Sequence, residues 1–151
     1  MKRKTKSYGG SRPCSTQPPV MVIGGFTLDP AQTNLPVGAV IPFGTLSSVN
    51  EATRLAKLIK SARVVAIGTD AKKVTLEADE FAKPLFMVGD KVQSDLSATL
   101  ANTPSISAMA LTEAGLEITL SKAITGLAVG SALYEVVADD TNVKLVAEPN
   151  S

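Results

Sequence analysis

A chain of 151 residues with 44% hydrophobic content is one domain long and can bury a core without disulfides or metal. With no histidine, no tryptophan and one cysteine, it lacks the means for Ser-His-Asp or Cys-His nucleophilic chemistry and for His-based zinc sites. Net charge is +1, yet Lys2, Arg3, Lys4, Lys6 and Arg12 crowd the first twelve residues with no acid among them, which leaves ten basic against fourteen acidic residues, or −4, on the remainder.

Residues 1–19 read as an extended arm, because Gly9-Gly10, Pro13 and Pro18-Pro19 oppose helix and regular pairing. Such an arm either docks on a partner or is disordered, and its charge points to something negative: nucleic acid, a membrane or an acidic protein surface. Tyr8 is its only aromatic residue, so the aromatic interleaving of nucleic-acid binders is missing. Residues 7–19 are polar and the next apolar run is broken by Gly24-Gly25, unlike a secretion signal. No stretch approaches the ~18 apolar residues of a membrane helix, and a soluble protein or part of a soluble assembly is expected. Cys14 reads as a structural residue in a reducing compartment, since no histidine can activate it. Val20, Met21, Val22 and Ile23 form a short apolar run, a first strand or a segment added to a neighbour's sheet edge.

After a loop over residues 26–35, Pro36, Gly38, Pro42 and Gly44 interrupt Val37, Val40, Ile41 and Phe43, which fits an edge strand or a barrel corner. Residues 48–61 carry conflicting signals. Ser48-Val49-Asn50-Glu51 has the form of a capping box with Ala52, Leu55, Ala56 and Ile59 at helical spacing, so local rules favour a helix. No glycine or proline separates that helix from the apolar run at residues 63–67, so one long strand over residues 54–67 competes with it. Further strands are expected at residues 74–76, returning from 63–67 as a hairpin, and at 86–92, 106–110, 116–120, 133–137 and 143–146. Three Val-Gly steps, at Val37-Gly38, Val88-Gly89 and Val129-Gly130, mark tight turns between strands. The pattern predicts a mainly β protein, a small barrel or sandwich of short strands, divided into an arm and linker (1–34) and a β body (35–151).

The chemistry-bearing groups are sparse. Gly9-Gly10 and Gly24-Gly25 do not extend into a phosphate loop. Glu77, Asp79 and Glu80 could pair carboxylates, and Asp139, Asp140 and Asn142 could hold a hard cation, but solvated turns account for both. Lys57, Lys60, Lys72 and Lys73 read as a solvated face in preference to a binding face for an acidic partner. No catalytic residue, metal or cofactor is assigned.

In whole phrases the chain resembles the head-decoration and head-fibre base proteins of tailed bacteriophages. The phrases are Leu35-Pro36-Val37-Gly38-Ala39-Val40-Ile41-Pro42-Phe43-Gly44-Thr45, then Ala62-Arg63-Val64-Val65 with Gly68-Thr69-Asp70-Ala71-Lys72-Lys73, then Phe86-Met87-Val88-Gly89-Asp90-Lys91-Val92, and Ala128-Val129-Gly130-Ser131-Ala132-Leu133-Tyr134-Glu135, in that order. Ser131 departs from the usual acidic residue, and no long fibre domain follows Val137. The resemblance implies a non-enzymatic virion protein on the outer capsid surface, reached from the host cytoplasm, with mostly strand over residues 54–67. Its implied partners are the major capsid protein, its own copies as a trimer in preference to a dimer, and other head-fibre proteins, with neither membrane nor nucleic acid among them. Contacts with capsid or subunit would fall to Lys2, Arg3, Lys4, Lys6, Tyr8, Arg12, Val20, Met21, Val22, Ile23 and Phe26. The alternative is a small β-barrel nucleic-acid-binding module using the basic arm; an enzyme built on carboxylates alone is a third reading.

Overall fold

Strand follows strand through two sheets in the computed structural model, which describes residues 25–42, 44–78 and 83–149. The small sheet holds β1 (Thr27–Leu28), β2 (Leu46–Asn50) and β3 (Leu55–Ile59), with β3 central, antiparallel to β2 and parallel to β1. The large sheet is built from β4 (Ser61–Ile67), β5 (Lys73–Leu76), β6 (Val92–Gln93), β7 (Ile106–Thr112), β8 (Gly115–Leu120), β9 (Ala132–Asp139) and β10 (Asn142–Leu145). Its path runs β10-β9-β4-β5-β8-β7, with β6 pairing β9 from the side, and it curls into a half barrel. A single 3-10 turn at Leu100–Asn102 is the only helical element among the described residues. The chain is mainly β, as its pattern of short apolar runs predicts.

The predicted hairpin of residues 63–67 with 74–76 forms, and the neighbouring expected strands also pair as hairpins. β4 and β5 pair across a turn in which Asp70 Oδ1 accepts the amides of Lys72 and Lys73 at 3.2 and 3.3 Å; β7 and β8 close at Thr112↔Gly115, and β9 and β10 at Asp139↔Asn142. Alternation along β8 buries Leu116, Ile118 and Leu120 and turns Glu117 and Thr119 toward the surface. With Val64, Val74, Leu76, Phe86, Val92, Ile106, Ile124 and Leu133, these residues make one core inside the curl, each large side chain worth about 1.5–3 kcal/mol of burial. Register shifts at residues 64–66 of β4 and 106–108 of β7 are bulges, which bend strands and let a sheet curl. At Gly115 a side chain is excluded: φ is 138° and a Cβ would lie 2.3 Å from the carbonyl oxygen of Leu76.

Residues 48–61 form no helix; residues 54–67 are mostly strand, as the resemblance implies, but divided at Lys60 into β3 and β4. Asn50 Oδ1 accepts the amides of Ala52 and Thr53 at 3.0 and 3.1 Å, so Asn50, inside the expected capping box, closes a hairpin turn between β2 and β3. The chain then changes sheets at Lys60, between the end of β3 and the start of β4. Two further expectations fail. Residues 36–42 are loop, with Pro36 and Pro42 among them, and of residues 86–92 only Val92 enters a strand. The Val-Gly steps do make tight turns. In each, the residue after glycine donates its amide to the carbonyl three back: Ala39 to Pro36, Asp90 to Met87 and Ser131 to Ala128, at 3.2, 3.2 and 3.1 Å. Gly38, Gly89 and Gly130 take φ of 75°, 99° and 92°, the left-handed value the third position of such a turn demands.

Candidate functional site

The second position of each of these turns is a valine, and the turn geometry pushes it outward. Val37, Val88 and Val129 are 105%, 61% and 64% exposed. The first turn belongs to a longer apolar loop, in which Val40 and Ile41 are also exposed. Below it lies an open groove of about 420 Å³ lined by Pro36, Val37, Val40, Pro84, Met109 and Leu116. Thr45 closes the far end of the loop, its hydroxyl donating to the Pro42 carbonyl at 2.7 Å. Asn34 fixes the near end through its side-chain amide, 2.5 Å from Glu135 Oε1. A run of uncovered aliphatic side chains held by hydrogen bonds at both ends is a surface suited to association.

Beneath the strand crossover lies the second unusual arrangement. Lys60, 1% exposed, carries the largest fully buried side chain among the described residues. Its ammonium sits 2.5 Å from Asp90 Oδ2 and 3.3 Å from Glu135 Oε1. Asp90 closes the second Val-Gly turn, and its Oδ2 also accepts the Met87 amide at 2.7 Å. Glu135 follows Leu133 on the inward face of β9, and the backbone locks there because its amide donates to the Lys60 carbonyl at 2.9 Å. Glu135 Oε1 receives both Lys60 and Asn34, whereas Oε2 is buried without a hydrogen-bond partner among the described residues. Burial pushes the Glu135 carboxyl above its ordinary pKa, opposed by the Lys60 ammonium and assisted by the charge of Asp90. One ammonium thus faces two carboxylates, an arrangement relieved by a proton on one of them.

The expectation of a solvated lysine face fails at this point. Lys60 is interior, while Lys57 pairs with Asp29 at 3.7 Å and Lys73 with Glu117 at 3.6 Å on the surface. Of the predicted contact residues, Lys2, Arg3, Lys4, Lys6, Tyr8, Arg12, Val20, Met21, Val22 and Ile23 lie outside the described residues, as does Cys14. Phe26 is half-buried, its ring centroid 5.6 Å below the Arg54 guanidinium of the same chain. Residues 27–34 are tied to β3: Thr27 and Asp29 donate amides to the carbonyls of Arg54 and Ala56, and Gln32 bonds Leu58 through both its amide groups. Glu77 is exposed, with Asp79 and Glu80 outside the described residues, and exposed Asp139 takes the Lys144 ammonium at 2.8 Å. Asn34, Asp90 and Glu135 were not among the expected site residues, although Asp90 and Glu135 stand in two of the quoted phrases. Period-two spacing held the signal: Leu58, Lys60, Ala62 and Val64 alternate along one side, as do Leu133 and Glu135.

No protein-family model matches this chain, and no curated protein or solved structure is significantly similar to it.

Proposed function

We propose that this chain is a structural protein of a tailed-phage virion, seated on the outer capsid surface and bound there to the major capsid protein and to its own copies, as a trimer in preference to a dimer. The observation that carries the reading is the uncovered apolar loop at residues 36–41, the same segment whose phrase resembles the decoration and head-fibre base proteins. An exposed aliphatic run of this kind marks an association surface. Val37, Val40 and Ile41 offer roughly 5–9 kcal/mol on full burial. Association costs about 4–15 kcal/mol in lost freedom of motion, so the loop alone does not hold a stable complex. The arm supplies the remainder: Lys2, Arg3, Lys4, Lys6 and Arg12 steer it to an acidic surface, and Val20, Met21, Val22 and Ile23 add apolar contact.

The test is occupancy on capsids assembled with two variants, one lacking residues 2–19 and one carrying Val37→Asp with Val40→Asp. Each is expected to lower occupancy roughly tenfold or more at fixed concentration. Undiminished occupancy in both refutes the docking scheme. Tight, salt-sensitive binding of the isolated chain to DNA or RNA would replace it with the nucleic-acid reading.

A further inference from the structure

The buried cluster is independent of the outer surface, and its geometry supports chemistry of its own. We propose that Lys60 and Asp90 condense in the folded chain to an intramolecular amide between Nζ and Cγ, with Glu135 relaying the proton.

Four observations on the page converge on this reaction. First, proximity: reacting atoms must approach to about 3–3.5 Å, and Lys60 Nζ lies 2.5 Å from Asp90 Oδ2, the oxygen bonded to Cγ. Second, seclusion: the Lys60 side chain is wholly buried and those of Asp90 and Glu135 nearly so. Such a site excludes bulk water, which would otherwise compete with the amine and reverse the condensation. Third, an acid is in place: Asn34 and Lys60 occupy Glu135 Oε1 and leave buried Oε2 free to carry a proton. Burial shifts this carboxyl toward its protonated form relative to a solvated one. Fourth, the Met87 amide donates to Asp90 Oδ2 and holds the carboxyl group in place beside the lysine.

The atoms balance without an oxidant or co-reactant. A proton passes from the Lys60 ammonium to the Asp90 carboxylate, giving amine and acid. The Nζ lone pair then forms the C–N bond at Cγ. Glu135 gives its proton to the departing hydroxyl and recovers one from Nζ as the C–O bond breaks. One ammonium and one carboxylate become one amide and one water, and Glu135 ends as it began. The product joins the sheet crossover at Lys60 to the turn that ends at Asp90, closing a loop of 30 residues.

Mass spectrometry of the full-length protein decides the matter. The chain is expected to weigh one water less than the same chain with Lys60→Arg, after allowance for the substitution itself. Trypsin should fail at the blocked Lys60 and release residues 58–63 joined to residues 74–91, the Lys83-Pro84 bond resisting cleavage. Asp90→Asn should still link, losing ammonia in place of water, and Glu135→Gln should leave the chain largely unlinked. Normal cleavage at Lys60 in the folded wild-type protein, with residues 74–91 at unmodified mass, overturns the proposal, whether or not any variant folds. Linkage at the wild-type rate in Glu135→Gln removes Glu135 from the reaction.

Discussion

Replacing Lys60 with methionine tests how the crossover between sheets is held. The side chain is wholly buried, and it is the cation shared by Asp90 and Glu135. Methionine keeps the aliphatic stem but strands two buried carboxylates, which retain only the Met87 amide and the Asn34 amide as donors in the described cluster. Breaking a buried pair from one side costs about 3–5 kcal/mol. The lower end, about 3 kcal/mol, is the appropriate figure, because burial already shifts Glu135 toward its neutral form relative to a solvated carboxyl. At an m-value of about 2 kcal/mol/M, the urea midpoint falls by about 1.5 M near neutral pH. Where the Lys60–Asp90 amide has formed, that ion pair no longer exists, and the substitution instead removes ~3–4 kcal/mol of loop closure. Lowering the pH separates the parts: the ionic cost shrinks as the carboxylates protonate, whereas the closure contribution stays. A midpoint shift below about 0.25 M near neutral pH refutes the ionic argument outright.

Glu135→Gln has its own pH signature. Because the folded pKa is raised, the Glu135 contribution favours folding below the unfolded pKa and is lost as pH rises through the folded value. The wild-type chain should therefore gain stability relative to Glu135→Gln as pH falls from about 7 to about 5; a flat or reversed difference in urea titrations contradicts it. Gly115→Ala drives a Cβ to 2.3 Å from the Leu76 carbonyl oxygen at a φ of 138°. A loss of about 2–4 kcal/mol is expected from backbone strain and displacement, visible in thermal melts, and an unchanged midpoint would mean that the β5–β8 pairing there yields freely.

Much of the architecture is written in local chemistry. The hairpins β4–β5, β7–β8 and β9–β10 were legible because their turns carry Gly68 and Asp70, Gly115, and Asp139 with Asn142, between alternating apolar runs. The Val-Gly steps were legible as turns but not as strand ends, since a turn's dihedral requirements are local and a strand's existence depends on a partner edge. Residues 48–61 misled for the same reason. Asn50 offers its carboxamide oxygen to backbone amides whether a helix or a hairpin turn follows, and only the pairing of β2 with β3 decides between them. The cluster was hidden because a lysine is ordinarily solvated. Its burial follows from tertiary placement of Asp90 and Glu135, 30 and 75 residues further along the chain.

The loop at residues 36–41 is already shaped before anything meets it. Asn34 fastens one end to Glu135, a turn at Gly38 folds its centre, and Thr45 fastens the other end to Pro42. Ordering a free segment costs about 1–2 kcal/mol per residue in backbone entropy, or roughly 6–12 kcal/mol over six residues. Here that ordering occurs during folding and does not recur on contact. On the proposed reading, a partner would meet an apolar ridge already in its final shape, and the geometry of each docked copy would follow from the fold of the individual chain.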